Sequence, residues 1–262
     1  MDYGRNEKYF TKPSYKLPIG LIAVGIVLCV VGVWVVAIPL IGIGVALIVF
    51  AGKSRPADAE MDALAAPPEN LVEMALEKHG VNLEDVQRFQ PFIWGGYYNP
   101  AEAAIMGVDP GVVSAEEAAS HVQNTLKDSM KEASSVGEGL LNAAKAADSM
   151  TGLLDGKHVL QTVQGKDGVT RSNLLWWGIW LFSNTTLYTF TLARSLTQAW
   201  ERVSAEEYPY QGISKVTIDD AGGYKAARLQ MLDGTVETCV VRDEAMLSTV
   251  NALRQEIRDR RV

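Results

Sequence analysis

Apolar and polar positions divide the chain into three stretches of different texture. From Leu17 to Gly52, 36 consecutive residues carry no Asp, Glu, Lys or Arg. As one helix, rising 1.5 Å per residue, they would reach about 54 Å, against about 30 Å for a bilayer's hydrocarbon core. The run therefore predicts two helices, near 18–34 and 37–52, joined between Trp34 and Pro39 where proline disfavours continuous helix. Gly25, Gly32, Gly42 and Gly44 suit close approach of two such rods. Lys8, Lys12 and Lys16 precede the run, and Lys53 and Arg55 follow it. Cations at both ends and none between predict an even number of crossings with both termini cytoplasmic. The expectation is a cytoplasmic tail over 1–17, then a transmembrane helical hairpin over 18–52, in a multi-pass protein of the inner membrane. A single tilted span, or a re-entrant or cleaved segment, are the competing readings.

Residues 53–156 read as an acidic helical region punctuated by proline and glycine. Leu71, Met74, Ala75 and Lys78 fall at helical spacing after Pro67-Pro68, and Gly80 supplies the stop. Asn82, Glu84 and Asp85 mark the start of a second short helix. Pro91 to Pro100 is aromatic and turn-rich, read as a loop anchored by buried rings, with a partner-binding loop as the alternative. Ser114 and Glu117 form a capping-box signature opening a long helix over 114–149. Val122, Leu126, Met130, Ala133, Gly137, Leu140, Ala144 and Ala147 make its near-heptad stripe, suited to packing against the chain's own first helices or to self-association.

Past Gly156 the period changes from helix to strand. His158–Gln164 is a short strand candidate, followed by a turn at Gly165–Gly168. Leu174 to Leu192 is uncharged, yet Ser183, Asn184, Thr185, Thr186, Thr189 and Thr191 would need hydrogen-bond partners in lipid. Two strands broken near Ser183-Asn184 is the reading, with a further membrane segment left open. Ile213–Asp219 alternates, and Lys225–Leu232 and Thr235–Val241 flank Asp233-Gly234, a strong hairpin signal. Met246, Val250, Leu253 and Ile257 line one face of a closing helix over Asp243–Arg261.

Two motifs in this stretch carry a family resemblance. Trp180 to Asn184 is an apolar strand running into an Asn turn, and Tyr208 to Val216 is a pro-aromatic segment followed by an Ile-x-x-Val strand. With the hairpin and last helix in order, residues 157–262 resemble the bacterial PH-like (pleckstrin-homology-like) domains of small membrane proteins. Two departures stand out: the first strand is poorly marked, and Thr186-Leu187 replaces the family's Arg-Leu. The resemblance implies a β-roll closed by a helix, so the fold class expected for the whole chain is membrane-anchored α+β. It also implies that an anion would be met by cations in the first hairpin, here Lys166 and Arg171 with Lys157. Solvated loop charge is the plainer reading of those three, since Asp167 interrupts them.

Charge and chemistry narrow the function. The net charge of −7 is spread as +2 over 1–51, −10 over 52–156 and +1 over 157–262. No basic stripe is present for a nucleic-acid backbone. Cys29 and Cys239 make neither a disulfide framework nor a zinc site, and His79 and His121 have no second ligand at helical spacing. Paired acids such as Glu116/Glu117, Glu206/Glu207 and Asp219/Asp220 are adjacent in sequence and diverge on a helix or strand. No catalytic, metal or cofactor residue is assigned. The expected role is a non-catalytic integral membrane protein whose PH-like domain works as a scaffold or protein-interaction module. Its partners would be the bilayer and either an unidentified protein or a second copy. An anionic-lipid or phosphate sensor, and a membrane enzyme without a recognisable motif, are the alternatives.

Overall fold

A computed structural model describes residues 1–11, 16–53, 55–107, 112–114, 120, 158–221 and 223–259. The helices are α1 (Tyr3–Phe10), α2 (Lys16–Val30), α3 (Trp34–Lys53), α4 (Asp58–Ala65), α5 (Leu71–His79), α6 (Pro100–Met106) and α7 (Glu244–Asp259). The first strands are β1 (Phe92–Tyr97), β2 (Val112–Ser114), β3 (His158–Leu160), β4 (Thr162–Gln164) and β5 (Thr170–Ser172). Then come β6 (Leu174–Phe182), β7 (Thr186–Ser195), β8 (Glu201–Pro209), β9 (Ile213–Ala221), β10 (Tyr224–Met231) and β11 (Val236–Val241). The chain divides into two compact units, one of Met1–Leu64, Thr162–Arg171 and Leu196–Ala199, the other of the remaining segments. The helix expected over 114–149 and the residue Lys157 lie outside the described residues, apart from Ser114, which ends β2, and the helical Ser120.

In the first unit the uncharged run folds into the α2–α3 hairpin. The reversal comes at Val31–Val33, earlier than the expected Trp34–Pro39, because Gly32 takes φ +87°, a conformation nearly closed to other residues. Pro39 is carried inside α3. Two of the four glycines set the helix approach. A Cβ on Gly25 would lie 2.6 Å from Ile41 Cγ1, and one on Gly44 would lie 2.6 Å from Ile22 Cγ1. Gly42 faces open space.

The transmembrane expectation is corrected at this point. Among the described residues no helix is long and apolar enough to cross a membrane. The 15 residues of α2 rise about 22 Å, short of about 30 Å of hydrocarbon. The multi-pass topology, the inner-membrane location and the membrane-anchored fold class go with it; the fold is α+β. A charge-free run measures total apolar length, whereas crossing depends on the length of each rod after the turn.

In the second unit β1, β6, β7 and β8 form a four-stranded antiparallel sheet, and β11, β10 and β9 a three-stranded one. All nine residues of β6 are buried. Its even positions Trp176, Trp180 and Phe182 enter the core with Leu229, Val240, Val250 and Leu253. Its odd positions Leu175, Trp177, Ile179 and Leu181 are also buried, on the side where α5 packs. A strand covered on both faces reads as a continuous apolar run, which is how it resembled a membrane segment. Ser183 Oγ accepts from the N–H groups of Thr185 and Thr186 at 3.1 and 2.9 Å and makes the turn into β7.

The first strand of that sheet is Phe92–Tyr97, inside the segment expected to be a loop. Gly95 (φ +140°) lies so close to β6 that an added Cβ would sit 2.3 Å from the Trp176 carbonyl oxygen. The four-stranded sheet therefore starts well before residue 157, and residues 98–173 intervene between β1 and β6. β3 belongs to a two-stranded parallel pair with β2, and β4 pairs with β5.

Candidate functional site

Lys166 and Arg171, two of the anion contacts expected at the first hairpin, sit in the first unit. The β4–β5 turn (Gly165–Gly168) brings Arg171 beside Asp167, and α4 supplies Asp58 and Asp62. Arg171 Nε and Nη2 donate to the two oxygens of Asp62, both at 2.7 Å, a bidentate pair. Nη1 and Nη2 donate to the oxygens of Asp167 at 2.9 and 2.6 Å, and Nη1 also reaches the Val169 carbonyl at 3.4 Å. All five guanidinium N–H groups are thus engaged, and the side chain is 0% exposed. The bonds from Arg171 hold the Asp167 carboxyl well below the usual carboxylate range. Tyr9 donates to Asp58 at 2.8 Å, and its phenol is pushed up to about 12 by burial and by that carboxylate. Lys166 is exposed, and its backbone N–H donates to Asp58 at 2.9 Å. This cluster closes on itself, and Arg171 has no donor left for a phosphate.

A different set of cations converges in the second unit. A cleft of about 220 Å³ lies between β9 and α7, lined by Ser214, Lys215, Val216, Arg254, Ile257 and Arg258. Val216 and Ile257 are buried and form its apolar floor. Arg254 and Arg258 stand one turn apart on α7, an arrangement in which like charges repel. Among the described residues neither they nor Lys215 form an ion pair. The neighbouring acids are occupied: Glu256 accepts from Arg88 at 2.6 Å, and Asp259 from Gln255 at 2.8 Å. Ser214 Oγ donates to the Gln230 carbonyl at 2.8 Å, fixing the start of β9 against β10. Sequence reasoning missed this set because Lys215 is remote from Arg254 and Arg258 along the chain.

An acidic cluster lies elsewhere in the same unit. Tyr208 Oη is 2.5 Å from Glu206 Oε2 and 3.2 Å from Glu237 Oε2. Burial, and then the charge of Glu206, push the Glu237 carboxyl up to about 7, although the Tyr208 bond opposes the shift. The two glutamates raise the Tyr208 phenol, with burial the larger cause. Glu206, Glu207, Tyr208 and Asp233 border an open cleft of about 390 Å³.

The remaining reactive side chains are held in packing roles. Cys239 is fully buried and its thiol is raised by burial, the opposite of an activated thiolate. The His79 ring lies 5.0 Å from that of Tyr188, tilted by 58°, with Nε2 2.9 Å from the Thr189 carbonyl. His121 lies outside the described residues. Among the described residues no group of His, Cys, Asp or Glu could hold a metal ion.

No protein-family model matches this chain, and no curated protein matches it.

Proposed function

We propose that this protein is a non-catalytic interaction module whose PH-like roll binds an anionic protein partner in the cleft between β9 and α7. The observation that carries the reading is the set of three cations, Lys215, Arg254 and Arg258, without acidic partners among the described residues and set over an apolar floor. Unneutralised like charges held together weaken the free protein and are relieved by a bound anion, so they favour complex formation. Support for the PH-like resemblance comes from the strand order, four strands and then three with a helix closing the roll. Three cations on a chain of net charge −7 are too few for a nucleic-acid backbone. Phosphate sensing through Lys166 and Arg171 is the weaker reading, because Asp62 and Asp167 occupy the arginine.

The test uses the full chain and labelled poly-L-glutamate, read by fluorescence anisotropy. The combined variant Lys215→Glu, Arg254→Glu, Arg258→Glu is expected to bind at least roughly tenfold more weakly, about 1.4 kcal/mol or more. Lys166→Glu is expected to leave binding unchanged. Equal binding by the triple variant and the parent chain overturns the proposal.

A further inference from the structure

We propose that two copies of this chain associate edge to edge, their β8 strands pairing antiparallel about Ser204 to join two four-stranded sheets into one. The surface is separate from the β9–α7 cleft, and the inference stands whether or not that cleft binds an anion.

The starting observation is an open strand edge. β8 ends the order β1-β6-β7-β8, and among the described residues no strand pairs with it beyond β7. It runs for nine residues, and from Glu201 to Glu207 all are exposed except the half-buried Ala205. Native edges are commonly guarded by lysine, an internal proline or a bulge. β8 has no lysine, its register with β7 is unbroken, and its proline is the last residue. What guards it is the charge of Glu201, Arg202, Glu206 and Glu207, which excludes most strands but suits its own copy.

The ladder shows which backbone groups are free. At one end the Ser195 N–H donates to the Trp200 carbonyl at 2.9 Å, and at the other the Tyr210 N–H donates to the Thr185 carbonyl at 2.8 Å. Bonded and non-bonded pairs alternate along an antiparallel ladder. Arg202, Ser204, Glu206 and Tyr208 therefore bond to β7, while Glu201, Val203, Ala205 and Glu207 turn their N–H and C=O groups outward.

Register and charge then select the occupant. Facing residues of two strands share a side of the sheet, so a two-fold copy must meet itself at one residue. Centring on Ser204 sets Glu201 opposite Glu207, and Val203 opposite Ala205, of the second copy, which uses all four outward residues. Centring on Ala205 sets Glu201 opposite Pro209, which lacks an N–H, and centring on Val203 leaves Glu207 facing a residue before the strand begins. The Ser204 register also sets Arg202 opposite Glu206, twice by symmetry. Among the described residues Arg202 has no ion pair, and the Glu206 carboxylate accepts from Tyr208 alone. Opposite charges facing each other across strands stabilise the pairing. Glu201 facing Glu207 is the like-charged pair, and Glu201 already holds Arg194 at 2.6 Å.

Sedimentation equilibrium of the full chain measures the association. The unaltered chain is expected to dimerise, and Arg202→Glu to weaken the dimer at least roughly tenfold. Arg202→Glu combined with Glu206→Arg restores the facing charges in the opposite sense and should recover the affinity to within about threefold. Disulfide trapping under copper–phenanthroline oxidation reads the register, in chains carrying Cys29→Ser because Cys239 is buried. A non-bonded pair holds its Cα atoms about 4.5 Å apart, within disulfide reach, so Ser204→Cys should link the copies. Val203→Cys, about 7–8 Å from its counterpart, should not. A monomeric unaltered chain, a dimer indifferent to Arg202→Glu, a double variant no tighter than the single one, or a Ser204→Cys link no faster than that at Val203→Cys overturns the proposal.

Discussion

Two side chains show how neighbours decide what an ionisable group does. Arg171 reads in sequence as a loop cation, yet it is buried with Asp62 and Asp167 on its donors. Removing it leaves those carboxylates crowded together with Asp58 and no cation among them. Arg171→Ala is therefore expected to cost roughly 3 kcal/mol, the lower end for a broken buried pair because Asp62 and Asp167 keep contact with solvent. Urea unfolding of the full chain measures it, with Lys166→Ala near zero as the comparison. Glu237 supplies the pH dependence. Its folded carboxyl, pushed up to about 7, holds a proton that the unfolded chain releases at its ordinary, lower value. Stability is fully present below the unfolded value, falls as pH rises, and levels off above about 7. The loss amounts to roughly 3 kcal/mol. Glu237→Gln should flatten that part of the pH–stability curve; an unchanged slope contradicts the assignment. His158, held down to about 4 mainly by burial, acts in the opposite sense. It stays neutral in the fold, and its contribution is lost as pH falls below the ordinary histidine range.

At the scale of elements, the clearest sequence signals were local. Asp233-Gly234 makes the β10–β11 turn: Gly234 takes φ +91° and Asp233 Oδ1 accepts from the Thr235 N–H at 2.9 Å. Met246, Val250, Leu253 and Ile257 are the buried face of α7, and Asp243 Oδ1 caps it through the Met246 N–H at 2.8 Å. The strand Phe92–Tyr97 was not legible, because its pairing partner begins at Leu174 and two glycines interrupt its pattern. Gly95 lies against the β6 backbone at Trp176, and beside it Trp94 lies over Gly178 of β6, a packing visible only in three dimensions. A Cβ on Gly178 would fall 2.1 Å from Trp94 Cζ2. Gly178→Ala should therefore destabilise by roughly 1–3 kcal/mol, the range for overpacking a filled core. Gly212→Ala, with nothing within 4 Å of its Cβ position, should be nearly neutral. Thermal unfolding of the two variants compares them directly.

For the whole molecule, the sequence by itself determined the local alternations: an uncharged helical pair, short strands with their turns, and an amphipathic last helix. Each depends on residues within a turn or two of one another, where backbone preference and hydrophobic period act without help from the fold. The tertiary structure alone decided where the helical pair turns, which segment begins the four-stranded sheet, and which cations are spent and which remain available. Arg171 lost its freedom to aspartates brought in by α4, whereas Lys215 gained two arginine neighbours from a helix nearly forty residues later. Charge pairing and strand pairing depend on distance in space, and linear order fixes that distance only after the chain has folded.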